Sequence, residues 1–173
     1  YAQFSCVPQE LVVKKTKNLS FNEAATIPLA GMTAYRSTLA VSAAKKGDIV
    51  FVAGAGGGVG SFATQLLKLA EVAEIYTVAK DEKSAQFLVE TLEIERDHIL
   101  IYEGLSTEQL RDRLIEMNKG HFFDATFDFV GQDMKRLCLE VTGYSGHFST
   151  ILPETKFDFP FWGENSIPRG RNL

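Results

Sequence analysis

The sequence predicts an α/β fold built on an open parallel sheet with helices on both faces. Three observations carry that reading. Short apolar, β-branched runs alternate with segments of helical periodicity, the connections between them are short, and a glycine cluster occupies the first strand-to-helix turn. Strands that alternate with helices need right-handed crossovers, which leave the strands parallel and the sheet covered on both sides.

Residues 10–14 (Glu-Leu-Val-Val-Lys) read as a short strand. Ser20 and Glu23 have the Ser-x-x-Glu spacing of a capping box, so a helix starts at Ser20. Pro28 has no N–H to donate and is expected to interrupt it, with a second helical stretch over residues 31–41. A Gly47-Asp48 turn leads into residues 49–53, a continuous apolar run of the kind buried on both faces of a parallel sheet. After the glycines, Val59, Phe62, Ala63, Leu66, Leu67 and Ala70 recur at helical spacing. Then come a strand at 74–79, a helix at 81–92 and a strand at 98–102. A helix opened by Ser106-Thr107-Glu108-Gln109 runs to residue 118, followed by strand 124–130, helix 132–141 and strand 147–152. The later aromatics Phe157, Phe159, Phe161 and Trp162 have no period and read as a buried loop or an interdomain surface, with the lining of a substrate cleft as the second reading.

Composition narrows the function. The chain has 173 residues, 45% apolar and 23% charged, which suits one soluble globular domain. Eighteen basic and twenty-two acidic residues leave a net charge of −4, with no general attraction to nucleic-acid backbones or anionic membranes. No apolar run approaches the ~18–20 residues that span a bilayer. Cys6 and Cys138 build no disulfide framework, so a reducing cytoplasm is expected. Nucleic-acid and membrane partners are therefore not expected, and a small-molecule substrate follows only from the family resemblance given below. Tyr1 and Leu173 do not look like natural termini, and the chain is expected to be a piece of a longer protein.

The glycine cluster Gly54-Ala55-Gly56-Gly57-Gly58-Val59-Gly60 is the most informative segment. Such a turn brings backbone N–H groups and a helix N-terminus against a phosphate, with no Cβ in the way. A Walker A loop needs Lys-Ser or Lys-Thr after its last glycine, and here Ser61-Phe62 follows. The missing lysine argues against an NTPase. The nearest dinucleotide register is Ala55-x-Gly57-x-x-Gly60, with Ala at the first glycine place. The overlapping Gly54-x-Gly56-x-Gly58 resembles a methyltransferase turn, and a purely structural tight turn would also use these glycines. The second strand ends about twenty residues after Gly60, where a cofactor ribose would lie.

Three segments carry a family resemblance. Residues 53–60, Ala-Gly-Ala-Gly-Gly-Gly-Val-Gly, resemble the Ala-x-x-Gly-Gly-Val-Gly turn of quinone oxidoreductase-like medium-chain dehydrogenases/reductases. Residues 19–35, Leu-Ser-Phe-Asn-Glu-Ala-Ala-Thr-Ile-Pro-Leu-Ala-Gly-Met-Thr-Ala-Tyr, are similar to the segment that precedes that turn in the same branch. Asp128-Phe129-Val130-Gly131 resembles the Asp-x-Val-Gly closing its fourth strand.

The resemblance implies a Rossmann-type, doubly wound sheet whose sixth strand is cut short near Leu173. It divides the chain into residues 1–17, a remnant of a barrel-like catalytic domain, and 18–173, the cofactor domain. It implies Ala55, Gly57 and Gly60 in the cofactor turn, with Gly58 and Val59 as backbone donors. Thr33 and Tyr35 would lie near the nicotinamide, with Tyr35 the candidate proton donor, and Val130 and Gly131 would meet its ribose. Ordinary helix packing or a simple turn explains the last four equally well. An NAD enzyme usually presents an acid to the ribose at the end of the second strand, where this chain has Ala79 followed by Lys80 and Lys83. Both lysines point to NADP(H), with NAD(H) second. A solvated helix start is the plain alternative for them. The intact enzyme would be a homo-oligomer moving hydride to a quinone or an activated double bond or carbonyl. A methyltransferase and a non-catalytic nucleotide sensor stay open beside it. No metal is expected: His98, His121 and His147 show no ligand spacing, and residues 27–31, where the zinc branch has a ligand, hold no Cys, His or acid.

Overall fold

Five parallel strands form the sheet in the computed structural model, which describes residues 3–152. They are β1 (Ile49–Ala53), β2 (Glu74–Ala79), β3 (Ile99–Ile101), β4 (Phe123–Asp128) and β5 (Thr142–Thr150), in the order β3-β2-β1-β4-β5. The helices are α1 (Phe21–Thr26), α2 (Met32–Tyr35), α3 (Gly58–Leu69), α4 (Glu82–Leu92), α5 (Thr107–Met117) and α6 (Asp133–Val141).

Alternation along β1 sorts the core into two layers. Val50 and Val52 join Leu67 of α3 and Leu88 and Leu92 of α4, whereas Phe51 and Ala53 join Leu114 of α5 and Leu137 and Val141 of α6. Period two explains the split, because successive strand residues point to opposite faces. Phe51, Leu67, Phe123, Phe127 and Leu137 are fully buried. Each such side chain contributes roughly 1.5–3 kcal/mol of burial.

Local signals set the helix starts. Ser20 Oγ accepts from the Glu23 N–H at 3.2 Å while Glu23 Oε2 accepts from the Ser20 N–H at 2.7 Å. Ser106 and Gln109 make the same reciprocal pair ahead of α5. Asp81 caps α4 by accepting from the Ser84 N–H at 2.8 Å.

Three expectations are corrected. Residues 10–14 form no strand: a single tight turn, Gln9–Leu11, is followed by Val12 and Val13, 58% and 87% exposed. A strand needs a neighbour for its backbone groups, and no described strand pairs with this segment. Pro28 does not stop its helix. The turns widen over Ile27–Gly31 and again over Arg36–Val41, so the Met32 N–H reaches back to the Ile27 carbonyl. A widened turn accommodates the proline ring without breaking the path. Finally, β5 begins at Thr142 rather than 147, because Thr142 pairs with Phe123 before the register shifts and His147 pairs with Ala125. The aromatic stretch 157–162 and the sixth strand expected near Leu173 lie outside the described residues. No helix of the described residues is long and apolar enough to cross a membrane.

Candidate functional site

The strand order reverses between β1 and β4, and an open parallel sheet has its natural crevice at such a point, beyond the carboxyl ends of the strands. Here that crevice is floored by the glycine turn. Gly54 adopts φ +86°, a conformation that side chains rarely take, and its carbonyl accepts from the Gly57 N–H at 3.0 Å. A Cβ on Gly60 would stand 2.0 Å from the Gly54 carbonyl oxygen, so α3 can approach β1 this closely only with glycine there. Gly57, the residue before α3, supplies no side-chain cap, and Gly56, Gly57 and Gly58 are exposed. The first N–H groups of α3 are therefore left for an anion, at the positive end of a twelve-residue helix.

An open cleft of about 660 Å³ runs from this turn along the end of β2. Gly54, Gly56, Gly57, Ala79, Lys80, Lys83, Val130, Ser84, Phe87, Tyr102 and Met134 line it. Lys80 and Lys83 thus share one wall with the glycines. The Asp81 carboxylate also borders the cleft but is turned to its own helix, accepting from the Ser84 N–H and hydroxyl at 2.8 and 2.7 Å. Those bonds hold the Asp81 carboxyl below its usual range, and Lys80 and Lys83 act in the same direction. Glu82 is engaged by Arg96, at 2.7 and 3.0 Å, which likewise holds its carboxyl low. Both acids beside the lysines are accounted for by local partners.

On the other side of the crevice, Asp128 ends β4 and is fully buried. Its Oδ1 accepts from the Val130 and Gly131 N–H groups at 3.0 and 2.7 Å. Gly131 has φ +85°, and a Cβ there would meet Leu152 Cδ1 at 2.7 Å. Lys135 of α6, 4% exposed, donates from Nζ to the Leu152 carbonyl at 3.0 Å on the same edge.

The remaining sequence-predicted residues sit elsewhere. Ala55 is fully buried in the core, Val59 is half-buried, and Gly60 lies under the turn. Thr33 and Tyr35 belong to α2, which packs on α3, and neither lines the cleft. Thr33 is half-buried and Tyr35 is 48% exposed. Sequence reasoning missed Tyr102, Ser84, Phe87 and Met134. Tyr102 directly follows β3, and its N–H donates to the Ala79 carbonyl at 2.9 Å, which sets it beside Lys80. The pairing of β2 with β3 was the absent information.

No protein-family sequence profile matches the chain. Curated relatives do. The chain is 32% identical over 153 residues to the highly reducing polyketide synthase xilA of Penicillium rubens, covering 87% of this chain and 6% of that one. It is 36% identical over 138 residues to the 2-methylene-furan-3-one reductase of Solanum lycopersicum, covering 78% and 31%. Among solved structures, the CurK enoyl reductase matches with a TM-score of 0.72 at 27% identity, over 84% of this chain and 42% of that one. The quinone oxidoreductase of Coxiella burnetii matches with a TM-score of 0.63 at 28% identity, over 80% and 39%. The chain spans less than half the length of each of these proteins. Its parallel sheet, glycine turn and relatives agree: the chain belongs to the medium-chain dehydrogenase/reductase superfamily, beside its enoyl reductases and quinone oxidoreductases, and has that superfamily's cofactor-binding fold.

Proposed function

We propose that this chain is the cofactor-binding part, over residues 18–173, of an NADPH-dependent reductase that saturates a carbon–carbon double bond conjugated to a carbonyl. The observation that carries the cofactor choice is the single cleft in which Lys80 and Lys83 join the glycine turn, with Ala79 where an acid would reject a 2′-phosphate. The residues present fit the group: glycines where a Cβ would collide, uncapped helix donors for a pyrophosphate, and cations at the ribose end.

A reduced nicotinamide supplies hydride when bound. The chain's own part is to hold and orient. The α3 N-terminus takes up negative charge, and Lys80 and Lys83 select the phosphorylated ribose. The Asp128-anchored turn at Val130 and Gly131 sets the wall of the crevice at the reacting end. In this reading Thr33 and Tyr35 serve the nicotinamide side from α2, and residues 1–17 belong with the substrate-binding domain. The substrate class is supported by relatives whose names state a polyketide synthase, an enoyl reductase and a furanone reductase. Superfamily membership removes the methyltransferase reading.

The test uses adenosine fragments of the cofactor. By calorimetry, 2′,5′-ADP is expected to bind roughly ten- to a hundredfold more tightly than 5′-AMP, the gain of one or two charge-assisted hydrogen bonds. Equal affinities would remove the NADPH assignment.

A further inference from the structure

At the entrance to α6 one residue holds a backbone conformation that its side chain disfavours. Gln132 has φ +51° and ψ −126°. The carbonyl of Gly131 before it accepts from the Met134 N–H at 3.2 Å, so residues 131–134 form a turn with Gln132 at its first central place. Those angles match a type II′ turn, about +60° and −120° at that place, which is normally kept for glycine. The other non-glycine residues at positive φ are Ala43, Glu71, Glu93 and Lys119, each just past the end of a helical segment, where a left-handed residue is ordinary. Gln132 instead opens a helix. A side chain there disfavours the turn by roughly five- to a hundredfold relative to glycine.

Neighbouring residues hold the turn against that preference. Asp128 takes the Val130 and Gly131 N–H groups, Leu152 Cδ1 fills the space where a Gly131 Cβ would stand, and Lys135 Nζ ties the Leu152 carbonyl to α6 at 3.0 Å. What the turn presents is a wall of the cleft. Val130 and Met134 flank it, and both line the cleft together with Lys80 and Lys83. Val130 sits directly on the glycine turn, since a Cβ on Gly54 would stand 2.8 Å from its Cγ2. The Gln132 side chain is itself exposed and is not among the residues that line the cleft. Resting on the assignment of this cleft to NADPH, we propose that Gln132 is a positioning residue for the nucleotide. It leaves the turn balanced between the arrangement seen here, which receives the nucleotide, and a relaxed one that withdraws the wall of Val130 and Met134. Affinity is then set by backbone preference at residue 132, because a ligand that binds one of two states binds in proportion to that state's population.

Thermal unfolding and 2′,5′-ADP calorimetry on the wild-type chain, Q132G and Q132V test this. Glycine relieves the strain and keeps the turn, so Q132G is expected to melt roughly 2–5 °C higher and to bind 2′,5′-ADP about two- to fivefold more tightly. Valine, being β-branched, tolerates positive φ worst, and Q132V should melt lower and bind at least about fivefold more weakly. Affinity is read well below every melting temperature, where all chains are folded and strain with no bearing on the cleft leaves it unchanged. Q132G, which adds no strain, keeps the test readable if Q132V does not fold. A Q132G variant with wild-type affinity, or with a melting temperature no higher than that of the wild type, overturns this proposal alone. A wild-type chain that binds no 2′,5′-ADP overturns the cleft assignment together with it.

Discussion

Thr150 donates its hydroxyl to Asp128 Oδ2 at 2.8 Å, joining the carboxyl ends of β4 and β5 beneath the crevice. The same buried carboxylate takes two backbone N–H groups through its other oxygen, so one side chain closes the turn and ties two strands together.

Replacing Asp128 with Ala would leave two buried donors, the Gly131 N–H and the Thr150 hydroxyl, and the part-buried Val130 N–H without an acceptor. At about 1–3 kcal/mol for each group left unsatisfied, partly relieved by relaxation, a loss of roughly 3–5 kcal/mol is expected. Asp128→Asn keeps an acceptor for the turn and should cost less than half as much. Urea unfolding of both variants checks the ordering; an equal cost for Asn and Ala would mean the turn bonds contribute little.

The glycines of the turn are predicted to be unequal. Gly60→Ala drives a methyl into the Gly54 carbonyl at 2.0 Å and should abolish nucleotide binding and destabilise by more than 3 kcal/mol, the range of severe core overpacking. Gly58→Ala meets only Ala30 Cβ at 3.9 Å and should be neutral or stabilise α3 by about 0.5–1 kcal/mol. Denaturant midpoints and 2′,5′-ADP affinity measured on both variants separate the two.

Lys80→Ala combined with Lys83→Ala should weaken 2′,5′-ADP by roughly ten- to a hundredfold and leave 5′-AMP nearly unchanged. The loss should shrink as salt is raised, since the lysines are exposed. Equal losses for both nucleotides would reduce the lysines to general surface charge.

Burial, and after it the Asp128 carboxylate, push the Cys138 thiol well above its usual range. Native chains should therefore expose one reactive thiol, that of Cys6, with Cys138 labelled only after unfolding. The same shift makes stability depend on pH. The unfolded thiol ionises above about pH 8.5 while the folded one stays protonated, so stability is retained below that pH and falls by up to about 1.4 kcal/mol per unit above it. Cys138→Ala should flatten this alkaline slope in urea midpoints taken from pH 8 to 10.

Much of the molecule is legible in the sequence because its signals are local. The apolar run of β1 has no polar residue to turn outward, so it had to be a central strand. The capping pairs Ser20–Glu23 and Ser106–Gln109 act within four residues and mark their helix starts from spacing alone. Gly57 and the two lysines at the end of β2 were likewise readable, since a strand-to-helix turn places its residues at the sheet edge whatever else the chain does. The failures involve partners. Residues 10–14 have strand propensity but no described neighbour to pair with, and Pro28 was read as a break because the sequence does not show that a helix can widen around it.

Tertiary structure alone decided which distant residues meet. Pairing of β2 with β3 set Tyr102 beside Lys80 at one end of the sheet and Glu74 beside His98 at the other. Neither encounter follows from spacing. Strand order is chosen by the packing of whole layers, and which side chains become neighbours at either end of the sheet is a consequence of that order.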